Sequence, residues 1–166
     1  IDEITIWNTA LSASEIQSYM STSPTGNEED LAAHWNFNEG TGTTASDATS
    51  NGNDGTISGA TWSTDVPPTS GGNNALSFDG TDDYVEITNQ SSATSVFGYA
   101  FTSTAWVKVT GGSGTNRNIL TNAQMSGDGY VLQVTNENQF SGIIDLQSGW
   151  ATVWGNTDVE LNTWYH

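Results

Sequence analysis

The sequence contains no cysteine and almost no positive charge. The absence of cysteine from all 166 residues excludes a disulfide framework, a thiolate metal site and a cysteine nucleophile. Only 2 lysines and arginines stand against 19 aspartates and glutamates, which gives a formal net charge of −17 at pH 7. A field of this sign repels nucleic-acid backbones and anionic lipid headgroups. We therefore expect no nucleic-acid partner and no attachment to a membrane surface.

Long apolar runs are also missing, whereas aromatic residues are plentiful. No run approaches the roughly 18 apolar residues of a membrane span, so no membrane insertion is expected. The chain has 7 Trp, 5 Tyr and 5 Phe, too many for a disordered acidic tail. Salt and calcium outside cells would screen the negative charge. The composition thus indicates a folded, extracellular domain.

The first thirty residues predict one strand, one short helix and a linker. Alternating apolar residues over 2–7 are typical of a strand. Ser12 followed by Glu15 forms a capping box, and apolar residues at helical spacing follow it, so a helix is expected over 12–20. The stretch 21–30 has proline, glycine and an acidic triplet, which is the composition of a linker.

From residue 31 onward the sequence consists of short strands separated by Gly, Asn and Asp clusters. Strands are predicted at 31–37, 56–62, 75–79, 83–88, 99–109, 118–124, 129–135, 140–145 and 150–154. Short strands at regular spacing, without strand–helix alternation, indicate an antiparallel β-sandwich. The predicted fold class is therefore all-β, with one short helix near the N-terminus.

Three segments carry a family pattern: 31–57 (LAAHWNFNEGTGTTASDATSNGNDGTI), 75–87 (ALSFDGTDDYVEI) and 100–109 (AFTSTAWVKV). Together they resemble the opening of a laminin-G-like domain, in the concanavalin A-like lectin/glucanase group of jelly rolls. Residues 1–16 resemble the closing strand and helix of the same family, which come last in such a domain. The resemblance implies a jelly-roll fold and favours a structural calcium.

The order of these segments predicts a tandem array cut out of register. Residues 1–20 would close one domain, 21–30 would be a linker, and 31–166 would open the next domain, whose C-terminal strands are missing. One alternative is that closing and opening strands pair within one body, because they are neighbours in these sandwiches. Another is strand exchange between copies, since unpaired strand edges are templates for association.

One loop, over residues 47–55 (DATSNGNDG), combines oxygen ligands with residues that turn sharply. Calcium takes about 6–8 oxygen ligands from carboxylates, amides and carbonyls. The alternative is an Asx-turn loop whose side chains bond their own backbone. Asp2 and Glu3 are near enough in the assembled sandwich to contribute, although solvated edge acids are the simpler interpretation. The predicted calcium ligands are Asp47, Asn51, Asn53, Asp54, Glu39 and Asp79.

The seven tryptophans raise the question of sugar binding, because indole faces stack on pyranose rings. Trp150 and Trp154 fall on one face of a strand with few apolar neighbours. With Trp62, which is ambiguous, they are the candidates for glycan contact, and packing or contact between domains is the alternative. Trp35 and Trp106 alternate with apolar residues on strands and are predicted to pack in the core. The family resemblance implies the same for Trp7 and Trp164.

No catalytic site is predicted. A retaining glucanase needs two carboxylates about 5 Å apart on one face of a cleft, whereas Asp83 and Glu86 fall on opposite faces of their strand. His34 alternates with Trp35 and is predicted to face solvent. Neither His34 nor His166 has a recognisable serine or aspartate partner motif.

The sequence therefore predicts a non-catalytic, secreted, calcium-stabilised repeat of a cell-surface adhesin or fibre. Its expected partners are neighbouring copies of the same domain, glycans or cell-surface proteins. The alternative is a carbohydrate-binding module of a secreted multidomain enzyme. The two differ in whether Trp150, Trp154 and Trp62 are exposed in a groove.

Overall fold

A computed structural model describes residues 1–68, 71–88, 100–112, 114–122, 129–146 and 149–166. These residues divide into two compact units, one formed by Ile1–Trp106 with His166 and the other by Val107–Tyr165. Antiparallel strands dominate both, and the described residues include one short helix. The predicted all-β fold class is confirmed.

The first unit contains the helix and most of the short strands. Its elements are β1 (Asp2–Trp7), α1 (Ala13–Tyr19), β2 (Leu31–Trp35), β3 (Thr44–Ala45), β4 (Gly55–Ser58), β5 (Thr61–Ser63), β6 (Ala75–Ser77), β7 (Tyr84–Ile87) and β8 (Thr102–Lys108). The last two residues of β8 belong to the second unit, which continues with β9 (Arg117–Thr121), β10 (Gly129–Val134), β11 (Gln139–Leu146), β12 (Gly149–Asp158) and β13 (Trp164–Tyr165). Residues 99 and 123–124, which were predicted to extend β8 and β9, lie outside the described part of the chain.

Strand β1 lies between β2 and β8, and both pairings are antiparallel. Ile4 pairs with Trp35, and Asp2 pairs with Trp106. All residues of β1 and β2 are buried, so both faces of this sheet are covered. The segment predicted to close one sandwich thus pairs with opening strands of its own chain. The division of the parent protein into 1–20, 21–30 and 31–166 stays a prediction.

The helix begins as the sequence predicted. Ser12 is the N-cap: its Oγ accepts a hydrogen bond from Glu15 N at 3.3 Å, and Glu15 Oε2 accepts one from Ser12 N at 2.7 Å. The bonds to Ser12 lower the pKa of Glu15, because they favour its ionised form. No residue of α1 is buried, and Tyr19 packs on the Trp7 ring with centroids 4.9 Å apart.

Residues 21–30 are packed against the first unit although they have the composition of a linker. Pro24 and Gly26 are buried, and Ser23 Oγ donates to Glu3 Oε2 at 2.5 Å. Gly26 has φ +91°, and a Cβ built there would lie 2.2 Å from the carbonyl oxygen of Ala48. Only glycine fits at this position, because the backbone is left-handed and the space is closed.

Two small sheets complete the first unit. One has the order β3-β4-β7, and the other pairs β5 with β6. Ala45 pairs with Gly55, so the polar stretch between them is the connection of a β-hairpin. Strand β3 was not predicted, because two residues within a polar stretch give no hydrophobic alternation.

The second unit is built on an antiparallel sheet with the order β12-β11-β10-β9. Tyr130 and Val134 on β10 are buried, and burial raises the pKa of the Tyr130 phenol. The Arg117 guanidinium donates from Nη2 to Thr135 O at 2.7 Å and to Asn138 Oδ1 at 2.8 Å. These bonds anchor the turn between β10 and β11 to β9.

Candidate functional site

The 47–54 loop, defined as residues 47–54, connects β3 to β4 and runs along β2. Asp47 is its central acceptor. Asp47 Oδ1 accepts from the backbone amides of His34 at 3.1 Å and Thr49 at 2.9 Å. Asp47 Oδ2 accepts from Asn53 N and Asn53 Nδ2, both at 3.0 Å. The Thr49 hydroxyl lies 2.8 Å from each oxygen, so the carboxylate is surrounded by hydrogen-bond donors.

The two asparagines of the loop donate to β2. Asn51 Nδ2 and Asn53 Nδ2 each lie 3.0 Å from the carbonyl oxygen of Ala32. Asn53 is fully buried, and its own carbonyl oxygen accepts the indole N–H of Trp35 at 2.8 Å. These bonds match the Asx-turn alternative and extend it, because the partners include a neighbouring strand.

The other predicted ligands of this region are more loosely placed. Asp54 is exposed, and its Oδ1 accepts from Asp47 N at 2.8 Å. Glu39 Oε1 accepts from Ser46 N at 2.7 Å, while Glu39 Oε2 is buried without a hydrogen-bond partner in the described structure. Within the described ranges, Glu39, Asp47 and Asp54 do not form a group whose oxygens lie within 4.8 Å of one another. Calcium at these residues stays a prediction.

A different acidic group does come together at the turn between β6 and β7. Asp79, Asp82 and Asp83 each place a carboxylate oxygen within 4.8 Å of the others. Asp79 Oδ1 accepts from Thr81 N at 2.8 Å, and Asp83 Oδ2 accepts from Asp79 N at 2.7 Å. Asp79 and Asp82 are exposed and Asp83 is half-buried. This group, called the Asp79–Asp83 group below, has carboxylate oxygens open to solvent.

His34 faces the interior, so its predicted exposure is wrong. Its side chain is fully buried, and its Nε2 lies 2.7 Å from Glu3 Oε2. Glu3 is 5% exposed and Asp2 is fully buried, so the interpretation of both as solvated edge acids is also wrong. The reason is that both faces of the sheet that contains β1 are covered, which places the polar side chains of β1 inside the unit.

The buried pair does not form a catalytic triad. Ser23 Oγ and His34 Nε2 both bond the same oxygen, Glu3 Oε2, so the serine hydroxyl contacts the carboxylate instead of the imidazole. His166 packs on the Trp106 ring with centroids 5.2 Å apart. Burial lowers the pKa of His166, and the charge of Glu3 opposes that shift.

The tryptophans separate into buried and exposed sets. Trp7, Trp35 and Trp106 are buried as predicted, and Trp164 is half-buried. Trp62 is half-buried and donates its indole N–H to Gly42 O at 3.0 Å. Trp150 and Trp154 on β12 are 67% and 60% exposed.

Strand β12 is exposed along its whole length, and one of its tryptophans stands beside a polar pair. Trp154 pairs with Ser141 on β11, and Ser141 pairs with Gln133 on β10, so the three side chains share one face of the sheet. Gln133 Nε2 donates to Ser141 Oγ at 3.0 Å, and both residues are buried. The row therefore ends in an exposed indole at the edge of the sheet.

The comparison with known families decides the class of this chain. The laminin-G type family model described as the concanavalin A-like lectin/glucanases superfamily matches residues 79–166, more than half of the chain. The chain belongs to this superfamily. No curated protein and no solved structure matches the sequence.

Membership confirms the laminin-G-like jelly roll that the sequence predicted. The match covers β7 to β13, whereas the resemblance drawn for 1–16 and 31–57 lies outside it and stays a prediction. Laminin-G-like domains are typically extracellular and generally non-catalytic, and members of the superfamily often bind a metal. Among the described residues, no helix has the length and hydropathy needed to cross a membrane.

Two features of this laminin-G-like domain were missed from the sequence. The Glu3–His34 pair joins residues 31 positions apart, and the Gln133–Ser141 pair joins neighbouring strands of a hairpin. The second pair had a signal, since Gln133 and Ser141 are polar residues within apolar strand patterns. The Glu3–His34 pair had no such signal, because recognising it requires knowing that β1 and β2 are neighbours in a buried sheet.

Proposed function

We propose that this domain is a non-catalytic, secreted repeat of an extracellular adhesin or fibre, and that β12 is its contact surface. The supporting observation is the concentration of exposed apolar side chains on this strand. Of the five large hydrophobic side chains exposed among the described residues, Trp150, Val153 and Trp154 lie on β12. Trp150 and Trp154 fall on one face of β12 and Val153 on the other, and exposed aromatic side chains that share a face are typical of interaction sites.

Charge supports the same surface. Residues 149–157 carry no ionisable side chain, in a chain whose formal net charge is −17. A second acidic domain or an acidic cell surface is repelled least where the local charge is zero. Partners of this kind are neighbouring copies of the domain or cell-surface proteins. Strand exchange through residues 1–7 requires β1 to leave its pairing with β2 and β8.

The experiment combines Trp150→Ala with Trp154→Ala and measures both adhesion to cells and the molar mass by light scattering. Loss of adhesion or of self-association supports β12 as the contact surface. Leu161→Ala is the matched control, because Leu161 is 50% exposed in the same unit but lies outside β12. Equal losses in the control and the double variant would contradict the proposal.

A second candidate function, glycan binding, is favoured by the exposed indole of Trp154, which ends the row formed with Ser141 and Gln133. Aromatic side chains are common in ligand sites, and the contact with the glycan would come from the indole because Ser141 and Gln133 are buried. Under this candidate, soluble oligosaccharides quench tryptophan fluorescence in the unaltered chain and in Trp62→Ala. Quenching that survives in Trp154→Ala would exclude this row as the glycan site.

We also propose that the structural calcium predicted from the sequence is held by the Asp79–Asp83 group. Three carboxylates with solvent-open oxygens fit a hard cation that takes oxygen ligands and completes its shell with water. When bound, calcium would offset two of the three negative charges that otherwise repel one another within one turn. The chain's own contribution is the pair of backbone bonds from Thr81 N and Asp79 N, which orient two of the carboxylates.

The calcium proposal is tested by thermal unfolding with excess calcium and with chelator. Calcium should raise the midpoint of the unaltered chain, and Asp82→Asn should abolish most of that increase. Asp158→Asn is the control, since Asp158 is an exposed acid at the end of β12. An increase that persists in Asp82→Asn would place calcium elsewhere.

A further inference from the structure

We infer that the 47–54 loop is a metal-independent cap that closes the outer edge of β2 to other strands. Among the described residues, strand β2 is at the end of its sheet and pairs with β1 along one edge only. Such an edge normally leaves amide and carbonyl groups available to another chain. The inference goes beyond the proposed contact at β12, because it concerns a surface that the fold removes from contact.

The cap satisfies the backbone groups that an added strand would need. His34 N donates to Asp47 Oδ1 at 3.1 Å, and His34 O accepts from Ala48 N at 2.8 Å. The carbonyl oxygen of Ala32 accepts from the side-chain amides of Asn51 and Asn53, each at 3.0 Å. Three side chains and one backbone amide thus take the place of a neighbouring strand.

The Asp47 carboxylate is committed to hydrogen bonds. A carboxylate offers about four lone-pair sites, and Asp47 receives donors from three backbone amides, one hydroxyl and one side-chain amide. The hydrogens of these N–H and O–H groups carry partial positive charge and point at the two carboxylate oxygens that a cation would bind. A cation at Asp47 would have to displace them and so release β2. The arrangement fits hydrogen-bond donors better than calcium.

The cap is held from both sides. Trp35 donates its indole N–H to the backbone of Asn53, which is fully buried. On the other side, Gly26 lies so close to Ala48 that a Cβ would be 2.2 Å from the Ala48 oxygen. A loop fixed by packing and hydrogen bonds in this way does not need an ion to order it.

Hydrogen exchange of the unaltered chain tests the inference directly. The amides of His34 and Ala48 should be protected to the same degree with excess calcium and with chelator, because their partners are protein groups. A loss of about tenfold or more in their protection on chelation, comparable to one strong hydrogen bond, would overturn the inference. Calcium bound at the Asp79–Asp83 group should instead change exchange only near that turn.

Variants then test whether the cap blocks other strands. Asp47→Ala should speed exchange of the His34 amide by about tenfold or more and raise the molar mass measured by light scattering. Glu137→Gln should change neither, because Glu137 is exposed in the turn between β10 and β11, outside the loop and outside the proposed calcium group. Unchanged exchange at His34 in Asp47→Ala would refute the cap.

Two milder variants keep the test decisive if Asp47→Ala does not fold. Asn51→Ala removes one of the two bonds to Ala32, and Thr49→Val removes the hydroxyl that donates to Asp47 without removing any predicted calcium ligand. Both should raise exchange at His34 or Ala48 in chelator as well as in calcium. An effect seen only in calcium would show that a metal holds the loop and would overturn the inference.

Discussion

In the part of the chain that the structure describes, strands β2 and β12 are both at the end of a sheet, and their edges are covered in one case and open in the other. Every residue of β2 is buried, and side chains of the 47–54 loop bond its outer backbone groups. Every residue of β12 is exposed, and nine consecutive positions from 149 carry no charge. Soluble proteins usually protect edges with charges, prolines or covering loops. An edge without these devices, in the same chain as an edge that has them, indicates a surface kept for contact.

The largest loss of stability is expected from Glu3→Ala, which acts on the buried pair between β1 and β2. It leaves His34 buried without its partner, and removing one member of a buried pair costs about 3–5 kcal/mol of unfolding free energy. Urea denaturation measures the loss. Glu3→Gln keeps an oxygen acceptor for Ser23 and His34 and should lose less. A cost for Glu3→Ala below about 0.5 kcal/mol, which is typical of surface changes, would mean that the pair does not hold β1 to β2.

A smaller effect is expected when only the contact between cap and core is removed. Trp35→Phe keeps an aromatic ring but removes the N–H that bonds Asn53 O, which should cost about 1–3 kcal/mol because that oxygen is buried. Trp62→Phe is the matched control, since its indole bond to Gly42 is exposed and its loss should cost less. An equal loss of unfolding free energy in Trp35→Phe and Trp62→Phe would show that the buried bond is worth no more than the exposed one.

The unfolding free energy of the first unit, which contains β2 and its covering loop, should depend on pH through His166. Burial lowers its pKa below the ordinary value of 6.5, so the folded state favours the neutral imidazole. Above pH 6.5 the His166 imidazole is mostly neutral in both the folded and the unfolded chain. As the pH falls through 6.5, the unfolded chain binds a proton before the folded protein does, so the unfolding free energy decreases. Measured between pH 8 and pH 5, the part of this decrease due to His166 should disappear in His166→Gln, and its survival there would assign it to other groups.

The smallest change in stability is expected on β12. Val153→Lys alters an exposed strand position and should change the unfolding free energy by less than about 0.5 kcal/mol. A lysine on an open edge discourages strand addition, so self-association should fall while the fold is kept. Sedimentation and urea denaturation of the same sample measure both quantities. A large loss of stability would show that β12 is not the exposed strand described above.

Local sequence patterns were sufficient to predict individual strands and the helix, but not which other parts of the chain pack around them. Ser12 and Glu15 predicted the start of the helix, because a capping box depends on residues three positions apart. Alternation predicted β1, yet it did not predict that Glu3 would be buried. That depends on the pairing of Asp2 with Trp106, which are far apart in the chain. A period of two indicates a strand but not how many neighbours it has.

The candidate sites show the same limit. The sequence of the 47–54 loop is compatible with a cation or with hydrogen bonds, and the difference depends on whether an unpaired strand lies beside it. Trp150 and Trp154 were candidates for glycan contact because their strand has few apolar neighbours, with packing as the alternative, and both side chains are exposed. The sequence also showed three carboxylates at Asp79, Asp82 and Asp83, although an Asp-Gly turn explains Asp79 equally well.

The pairing of β1 with both β2 and β8 has a consequence for synthesis. Residue 2 leaves the ribosome about 100 residues before its partner at 106, which at roughly 5–20 residues per second is a delay of roughly 5–20 seconds. During that delay β1 can pair only with β2, and the cap can already cover the far side of β2. The nascent pair then offers a single edge, the one that β8 will occupy, so an early collision with another nascent chain has one site to use instead of two.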